Sequence, residues 1–314
     1  MPDFRPLDAG TLRGTWATVL LPIDTRDHID WSALEEQVRL LAASGVDGVY
    51  TNGSAGEFWA QTEAEFDRLS EVVAGICGPA GVPFQIGAAH PGPAVALDRL
   101  RRARDAGPGA IQVTLPDWFP PSDAEVVTYL RRMAAEAAPV PLVLYNPPHA
   151  KRVLDPAGLA RVVAAVPEIA GLKVADGDAS WYADMAGVCA RVAVFVPGHH
   201  LATGYRHGAA GAYSNVACLH PGAAARWWTL ITSDPDAAAL VERELCAFLD
   251  AEVVPLRESG HCDAALDKLL AAVGGWAPVG TRMRWPYSGV PEDVARRLRP
   301  LARTRLPAFF ADDE

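Results

Sequence analysis

The chain has 314 residues, half of them hydrophobic and 21% charged, which excludes a largely disordered polymer and suits one large domain with a buried core. Its net charge of −10, from 28 basic and 38 acidic residues, repels a phosphate backbone and argues against nucleic acid as a partner. No run approaches the roughly 18 apolar residues of a membrane span, so no membrane partner is expected; the opening MPDFRPLDAG lacks the basic-then-apolar order of a secretion signal, and a cytoplasmic protein is expected.

Short apolar runs alternate with longer amphipathic stretches. Thr15–Leu21 reads as a first strand and Trp31–Ser44 as a helix with Asp30 as its cap. Gly48–Thr51 is strand-like and Thr62–Cys77 helical. Pro83–Ile86 is followed by the arginine-rich helix Pro93–Ala106, and Ala110–Thr114 by a helix over Ser122–Ala138. Pro141–Tyr145, Ile169–Val174, Val192–Val196 and Gly211–Ser214 supply the remaining strands. Their helices are Pro156–Ala165, Ala179–Val188, a short His200–Gly208 and an eighth that starts near Pro221.

Eight strand-then-helix units call for a parallel sheet covered by helices. Packed into residues 1–233, they fit an α/β fold of the closed (β/α)8 TIM barrel type, whose usual size is about 250 residues. A doubly wound open sheet is the alternative, but the first turn, Pro22-Ile23-Asp24-Thr25, has no glycine. Residues 234–314 read as a C-terminal helical region packed on the barrel, with helices over Asp236–Ala251, Cys262–Gly274 and Glu292–Thr304 and an irregular link at Gly280–Tyr287.

The five cysteines, Cys77, Cys189, Cys218, Cys246 and Cys262, are odd in number and show no C-x-x-C spacing, which argues against a disulfide framework and a zinc–thiolate site. Lysines number three: Lys151, Lys173 and Lys268. Arginine stays protonated, so any amine chemistry rests with these three. Lys268 sits in a helical stretch and is expected to snorkel at the surface. Lys151 follows a loop and fits either a substrate contact or a solvated position. Lys173 lies inside an apolar strand, opposite in facing to Leu172 and Val174, with Gly171 leaving room beside it. An amine turned into a barrel is costly as a cation; desolvation lowers its pKa from about 10.4 and frees a nucleophile that forms a Schiff base with a ketone. A paired structural lysine is the competing reading.

Active residues of a barrel sit at the C-terminal strand ends. The second strand ends in Gly53-Ser54-Ala55-Gly56-Glu57, whose small residues fit either an ordinary turn or a backbone cradle for a carboxylate or phosphate. The fifth ends in Tyr145-Asn146-Pro147-Pro148, where the Tyr145 phenol either packs at the rim or exchanges a proton.

These segments, with Gly171-Leu172-Lys173 and Gly177-Asp178 after the sixth strand and Gly208-Ala209-Ala210-Gly211-Ala212 at the eighth, together resemble the dihydrodipicolinate synthase/N-acetylneuraminate lyase family, over roughly Gly14 to Leu301. The resemblance implies a (β/α)8 barrel, commonly a dimer of dimers, that binds pyruvate or a related 2-oxo acid as a Schiff base, with no metal and no cofactor beyond the imine. It implies Lys173 as the amine, Tyr145 as the proton shuttle in carbinolamine formation and again at the carbon–carbon bond step, and Ser54 with the Ser54 and Ala55 amides as the carboxylate grip. Gly53 and Ala212 belong to the same binding segments.

The chain departs from the family at several positions. Ala55 stands where the family has a second relay threonine. The synthases' second tyrosine, offered across a subunit interface, falls near Asp117-Trp118-Phe119, and an indole cannot exchange a proton as a phenol does. Ala150 replaces the synthases' arginine, flanked by His149 and Lys151. Gly198-His199-His200-Leu201 replaces the acidic residues with which sialic acid lyases grip sugar hydroxyls. Neither of those two substrates is therefore expected. His149, His199 and His200, with Trp59, Trp118 and Phe119 nearby, suggest a second substrate that is partly aromatic or apolar, or has an anionic end; His149, His200 and Trp118 are the substrate-binding candidates among them. Solvated loop histidines, or a metal site that adjacent histidines are poorly placed to form, are the competing readings. The expected protein is a Schiff-base lyase, aldolase or dehydratase, acting on a 2-oxo acid as a homo-oligomer, dimer or tetramer. The alternative is a non-catalytic 2-oxo-acid-binding homologue.

Overall fold

The computed structural model describes residues 6–311. Its strands are β1 (Gly14–Thr18), β2 (Gly48–Thr51), β3 (Phe84–Gly87), β4 (Ala110–Thr114), β5 (Leu142–Asn146), β6 (Ile169–Val174), β7 (Ala193–Val196) and β8 (Gly211–Tyr213). Each pairs in parallel with the next, and β8 returns to β1 with Gly14 opposite Gly211, so the sheet closes as an eight-stranded barrel. The strands are apolar almost throughout because both faces are buried.

The outer helices are α1 (Trp31–Ala43), α2 (Glu63–Ala80), α3 (Pro93–Asp105), α4 (Asp123–Ala137), α5 (Pro156–Ala165), α6 (Ala179–Cys189), α7 (Leu201–Arg206), α8 (Asn215–Leu219) and α9 (Pro221–Ser233). Their starts are written locally. Asp30 caps α1 through the Ser32 and Ala33 amides, and Thr62–Glu65 and Ser122–Glu125 form reciprocal capping boxes on α2 and α4.

Two boundaries differ from the sequence expectation. The first strand stops at Thr18, not Leu21. The Gln37 side chain takes over at Leu20, accepting from its amide and donating to its carbonyl, both at 2.8 Å. The short helix α8, capped by Ser214, precedes the helix at Pro221 and carries Cys218 over the barrel mouth.

Alternation puts Gly14, Trp16, Tyr50, Gln85, Gln112, Val143, Tyr145, Gly171, Lys173, Phe195 and Tyr213 on the inner face. The lower interior is an aromatic plug: the Tyr213 ring centroid lies 4.5 Å from that of Phe195, 4.9 Å from Tyr50 and 5.8 Å from Trp16. The room expected beside Lys173 at Gly171 is taken. A Cβ there would stand 2.7 Å from Leu12 Cδ2, so the glycine exists to admit Leu12.

After α9 come α10 (Pro235–Glu252), α11 (Val254–Glu258), α12 (Asp263–Gly274), α13 (Glu292–Arg305) and α14 (Pro307–Phe310). The Trp276 indole donates to the Cys218 carbonyl and the Trp227 indole to the Ala238 carbonyl, tying this region to α8 and α9. Lys268 on α12 does not snorkel. Its side chain is fully buried, ion-paired with Glu57 and donating to the Arg282 carbonyl at 2.6 Å. Among the described residues, no helix is long and apolar enough to cross a membrane.

Candidate active site

Lys173 projects from β6 into the upper barrel. Its Nζ lies 4.1 Å from the ring centroid of Tyr145, 4.9 Å from that of Tyr50 and 5.5 Å from that of Tyr213. Burial drives its pKa down to about 8, partly offset by the negative charge of Asp267. The amine is thus neutral in useful amount near physiological pH.

Tyr145 stands beside it on β5, directly opposite in the ladder. Its hydroxyl accepts from Ser54 Oγ at 3.2 Å. Burial pushes the phenol up to about 12, with the Ser54 hydrogen bond pulling the other way. The turn that carries Ser54 is compact: the Gly56 amide donates to the Gly53 carbonyl and the Glu57 amide to the Ser54 carbonyl, both at 3.0 Å. Asn52 and Glu57, which bracket it, hold φ values of 58° and 50°, a left-handed backbone that non-glycine residues adopt at a cost. At Gly53 an added Cβ would stand 3.0 Å from the Tyr50 ring, so a larger residue would press that ring away from the turn.

A cavity of about 650 Å³ opens above these groups. Ser54, Ala55, Tyr145, His149, Lys173 and His200 all line it. A second cavity, of about 340 Å³, shares Ser54, Tyr145 and His149 with the first and is walled by Phe58, Trp59, His90 and Tyr287. Trp59 packs edge-on against Tyr287, with centroids 5.7 Å apart.

Three sequence candidates sit apart from this arrangement. Ala212 is fully buried but faces the helix layer, because Gly211 and Tyr213 take the inner face of β8. Trp118 is 75% exposed and lines neither cavity; its carbonyl and ring instead hold Lys151, whose Nζ donates to the Trp118 oxygen at 3.1 Å. That contact also settles Lys151 away from the cavities. Gly53 supports the turn without lining either space.

The adjacent histidines have different partners. His200 Nδ1 lies 2.8 Å from Asp176 Oδ2, and that hydrogen bond, helped by Cys246, raises its pKa to about 10. His199 is driven down to about 4 by burial and by the neighbouring His200 charge, and its ring meets the Asn215 side chain. The pair is thus one cation and one neutral ring. Among the described residues, no group of three or more His, Cys, Asp or Glu side chains is arranged to hold a metal ion.

The C-terminal helices supply a wall that the sequence reading missed: Asp250 from α10, Arg257 from α11, and Asp263, Leu266, Asp267 and Leu270 from α12. The available signal was the spacing of Asp263 and Asp267, one helical turn apart on the face that also carries Leu266 and Leu270. Asp267 is raised to about 7, first by burial and then by Asp263, with Lys173 pulling it down.

Among known proteins, the chain is similar over 171 residues to the N-acetylneuraminate lyases of Citrobacter koseri, at 29% identity, and Salmonella typhimurium, at 28%. Each match covers 54% of this chain and 57% of the relative, so the chain spans little more than half the length of the curated relatives it matches. Two solved structures share the fold over nearly the whole chain. A prophage protein of Escherichia coli belonging to the dihydrodipicolinic acid synthase family, solved in complex with pyruvate, superposes with a TM-score of 0.82 at 21% identity, covering 94% of this chain and 98% of that one. A catalytic lysine mutant of the sialic acid aldolase of Ruminococcus gnavus gives 0.82 at 17% identity, covering 97% and 99%. The family profile itself matches residues 11–295, a span that holds the Ser54 turn, Tyr145, Lys173 and the α12 wall, and by that match the chain belongs to the dihydrodipicolinate synthetase family.

Proposed function

We propose that this protein is a Schiff-base lyase acting on pyruvate or another 2-oxo acid, making or breaking a carbon–carbon bond or removing water. The observation that carries this reading is the Lys173 amine, lowered to about 8, at the floor of a cavity and beside a phenol that is hydrogen-bonded to Ser54. The neutral amine attacks the C2 carbonyl of the 2-oxo acid, forming a C–N bond while the carbonyl electron pair moves to oxygen. Tyr145 carries a proton from nitrogen to that oxygen to give the carbinolamine, a second proton drawn from solvent lets the oxygen leave as water, and the iminium remains. Ser54, with the Ser54 and Ala55 amides, holds the carboxylate. The iminium then accepts the electron pair of a bond broken at C3, so the chemistry runs on the Lys173 imine without a further cofactor.

The aromatic walls of the 340 Å³ cavity suit a second substrate, or a leaving fragment, with an apolar or aromatic portion. The carboxylates of Asp250, Asp263 and Asp267 disfavour an anionic end on the α12 side. Trp118 and Phe119, adjacent and 75% and 79% exposed, suit burial against a second copy, in keeping with a homo-oligomer.

Incubation with pyruvate and borohydride, followed by peptide mass analysis, tests the reading. A reduced adduct on the Lys173 peptide is expected. No adduct across a panel of 2-oxo acids overturns the lyase reading and favours a non-catalytic binder.

A further inference from the structure

Tyr145 and Asp267 are carried to the cavity around the Lys173 amine by different elements of the fold. Tyr145 comes from β5, the strand next to β6. Asp267 comes from α12, which lies against α8 after β8, so it belongs to the helical wall of the cavity. Both line the 650 Å³ cavity. Asp267 and Lys173 are close enough for each charge to act on the other.

The near wall carries Tyr145, Ser54 and His149. Ala55 has no hydroxyl, and the Tyr145 phenol, at about 12, is a weak acid that yields little phenolate at neutral pH. Tyr50, Tyr213 and Cys218 are all raised by burial. His199 is neutral down to about 4 and His200 stays protonated up to about 10. Asp267 is the carboxyl poised near neutrality, as efficient proton transfer requires. The charged and titratable groups around it are Asp263 on its own helix, Cys218 on α8, Lys173 on β6, Tyr145 on β5, Tyr50 on β2 and Arg257 on α11; Arg257 Nε also binds Asp263 Oδ1 at 3.1 Å.

We propose that Asp267, on the C-terminal helix α12, is a second proton-transfer residue of this site, taking the C3 proton of the Lys173-bound 2-oxo acid from the α12 wall of the cavity. This assignment rests on the Schiff-base reading above. The step balances without an added reagent. The C3–H bond breaks, its proton goes to the Asp267 carboxylate, its electron pair forms the C2–C3 double bond, and the C=N pair returns to the iminium nitrogen. Reprotonation of C3 by the Asp267 carboxylic acid reverses it. Tyr145 keeps the steps at C2, and the two halves of the reaction fall to different residues.

Pyruvate alone tests this. In D₂O, proton NMR follows loss of the pyruvate methyl signal, and borohydride trapping on the Lys173 peptide reports imine in parallel. Asp267→Asn is expected to trap imine within about threefold of the parent while methyl exchange per trapped imine falls by about 10²–10⁴-fold. Parent exchange per imine should rise through about pH 7 as Asp267 ionises, and Asp267→Asn should lack that limb. Tyr145→Phe should slow trapping but leave exchange per imine near the parent value. Parent-like exchange per imine in Asp267→Asn overturns the proposal, even if a counter-ion effect on Lys173 shifts the pH at which imine forms. If Asp267→Asn loses trapping altogether, Asp267→Glu decides: restored exchange supports the carboxyl's role, and trapping without exchange overturns it. Failure of the parent to trap pyruvate at Lys173 removes the Schiff-base reading itself, and is told apart by the trapping measurement.

Discussion

Lys268 and Glu57 meet as an ion pair with neither side chain exposed, joining helix α12 to the turn that carries Ser54. The Arg284 amide donates to the second Glu57 oxygen at 2.9 Å. Burial works to lower the Lys268 pKa, with the Glu57 charge opposing it. Removing one partner strands a buried charge, which typically costs about 3–5 kcal/mol, whereas replacing both removes the problem. Lys268→Met or Glu57→Gln alone should therefore lower the denaturation free energy by about that amount, and the double variant should recover a large part. Urea denaturation of the four proteins checks this; additive losses in the double variant would refute the coupling.

Lys173→Ala should abolish pyruvate trapping, because no other lysine lines either cavity. Tyr145→Phe keeps the ring over the amine and removes the hydroxyl, so trapping should persist but slow by about 10²–10⁴-fold. Quenched-flow borohydride capture gives both rates. An unchanged rate in Tyr145→Phe would mean that another group moves the proton at C2.

The pH response of Lys173 has a definite sign. Below about pH 8 the neutral amine falls tenfold per unit, so the attack step should fall with it and level off above. Stability moves in the same direction. Between about 8 and the ordinary lysine value of 10.5, the unfolded chain binds the proton that the folded chain has given up, so the folded state gains stability as pH rises. The melting-temperature gap between the parent and Lys173→Met should thus move in the parent's favour across that window. A flat gap would show an unperturbed amine.

His200 behaves oppositely. Its folded pKa is raised to about 10 by Asp176, so its contribution is complete below the ordinary value of 6.5 and is lost as pH climbs to about 10. The advantage of the parent over His200→Gln in melting temperature should be largest below pH 6.5 and shrink through that range. An advantage that grows with pH would contradict the His200–Asp176 assignment.

Trp118→Ser combined with Phe119→Ser should lower the solution mass if these exposed rings seal a contact between copies. Light scattering after size exclusion measures it. An unchanged mass for a multimeric parent places the contact elsewhere.

The barrel was legible because its signals are local: apolar strands of three to six residues, caps such as Asp30 and Thr62, and a repeat that needs no long-range knowledge. Lys173 was legible for a related reason, since an ionisable residue between Leu172 and Val174 must point to the other face of a strand. Lys268 misled because helical periodicity says which face a residue occupies but not that Glu57, more than two hundred positions earlier, waits to pair with it. The same limit hid Asp267, whose environment is assembled from β6, α8 and α11. Ala212 lies on the helix side of β8, a one-residue question of facing that this short strand leaves undetermined until its neighbours are known.

Beneath the reactive amine, Leu12, Trp16, Tyr50, Phe195 and Tyr213 fill the barrel from wall to wall. The barrel is therefore closed below the amine, and the cavity that Lys173 lines opens above it. On the proposed Schiff-base chemistry, a molecule captured by the lysine enters before its reaction partner and leaves after it. The closed floor would then set the order of traffic by architecture rather than by relative affinity.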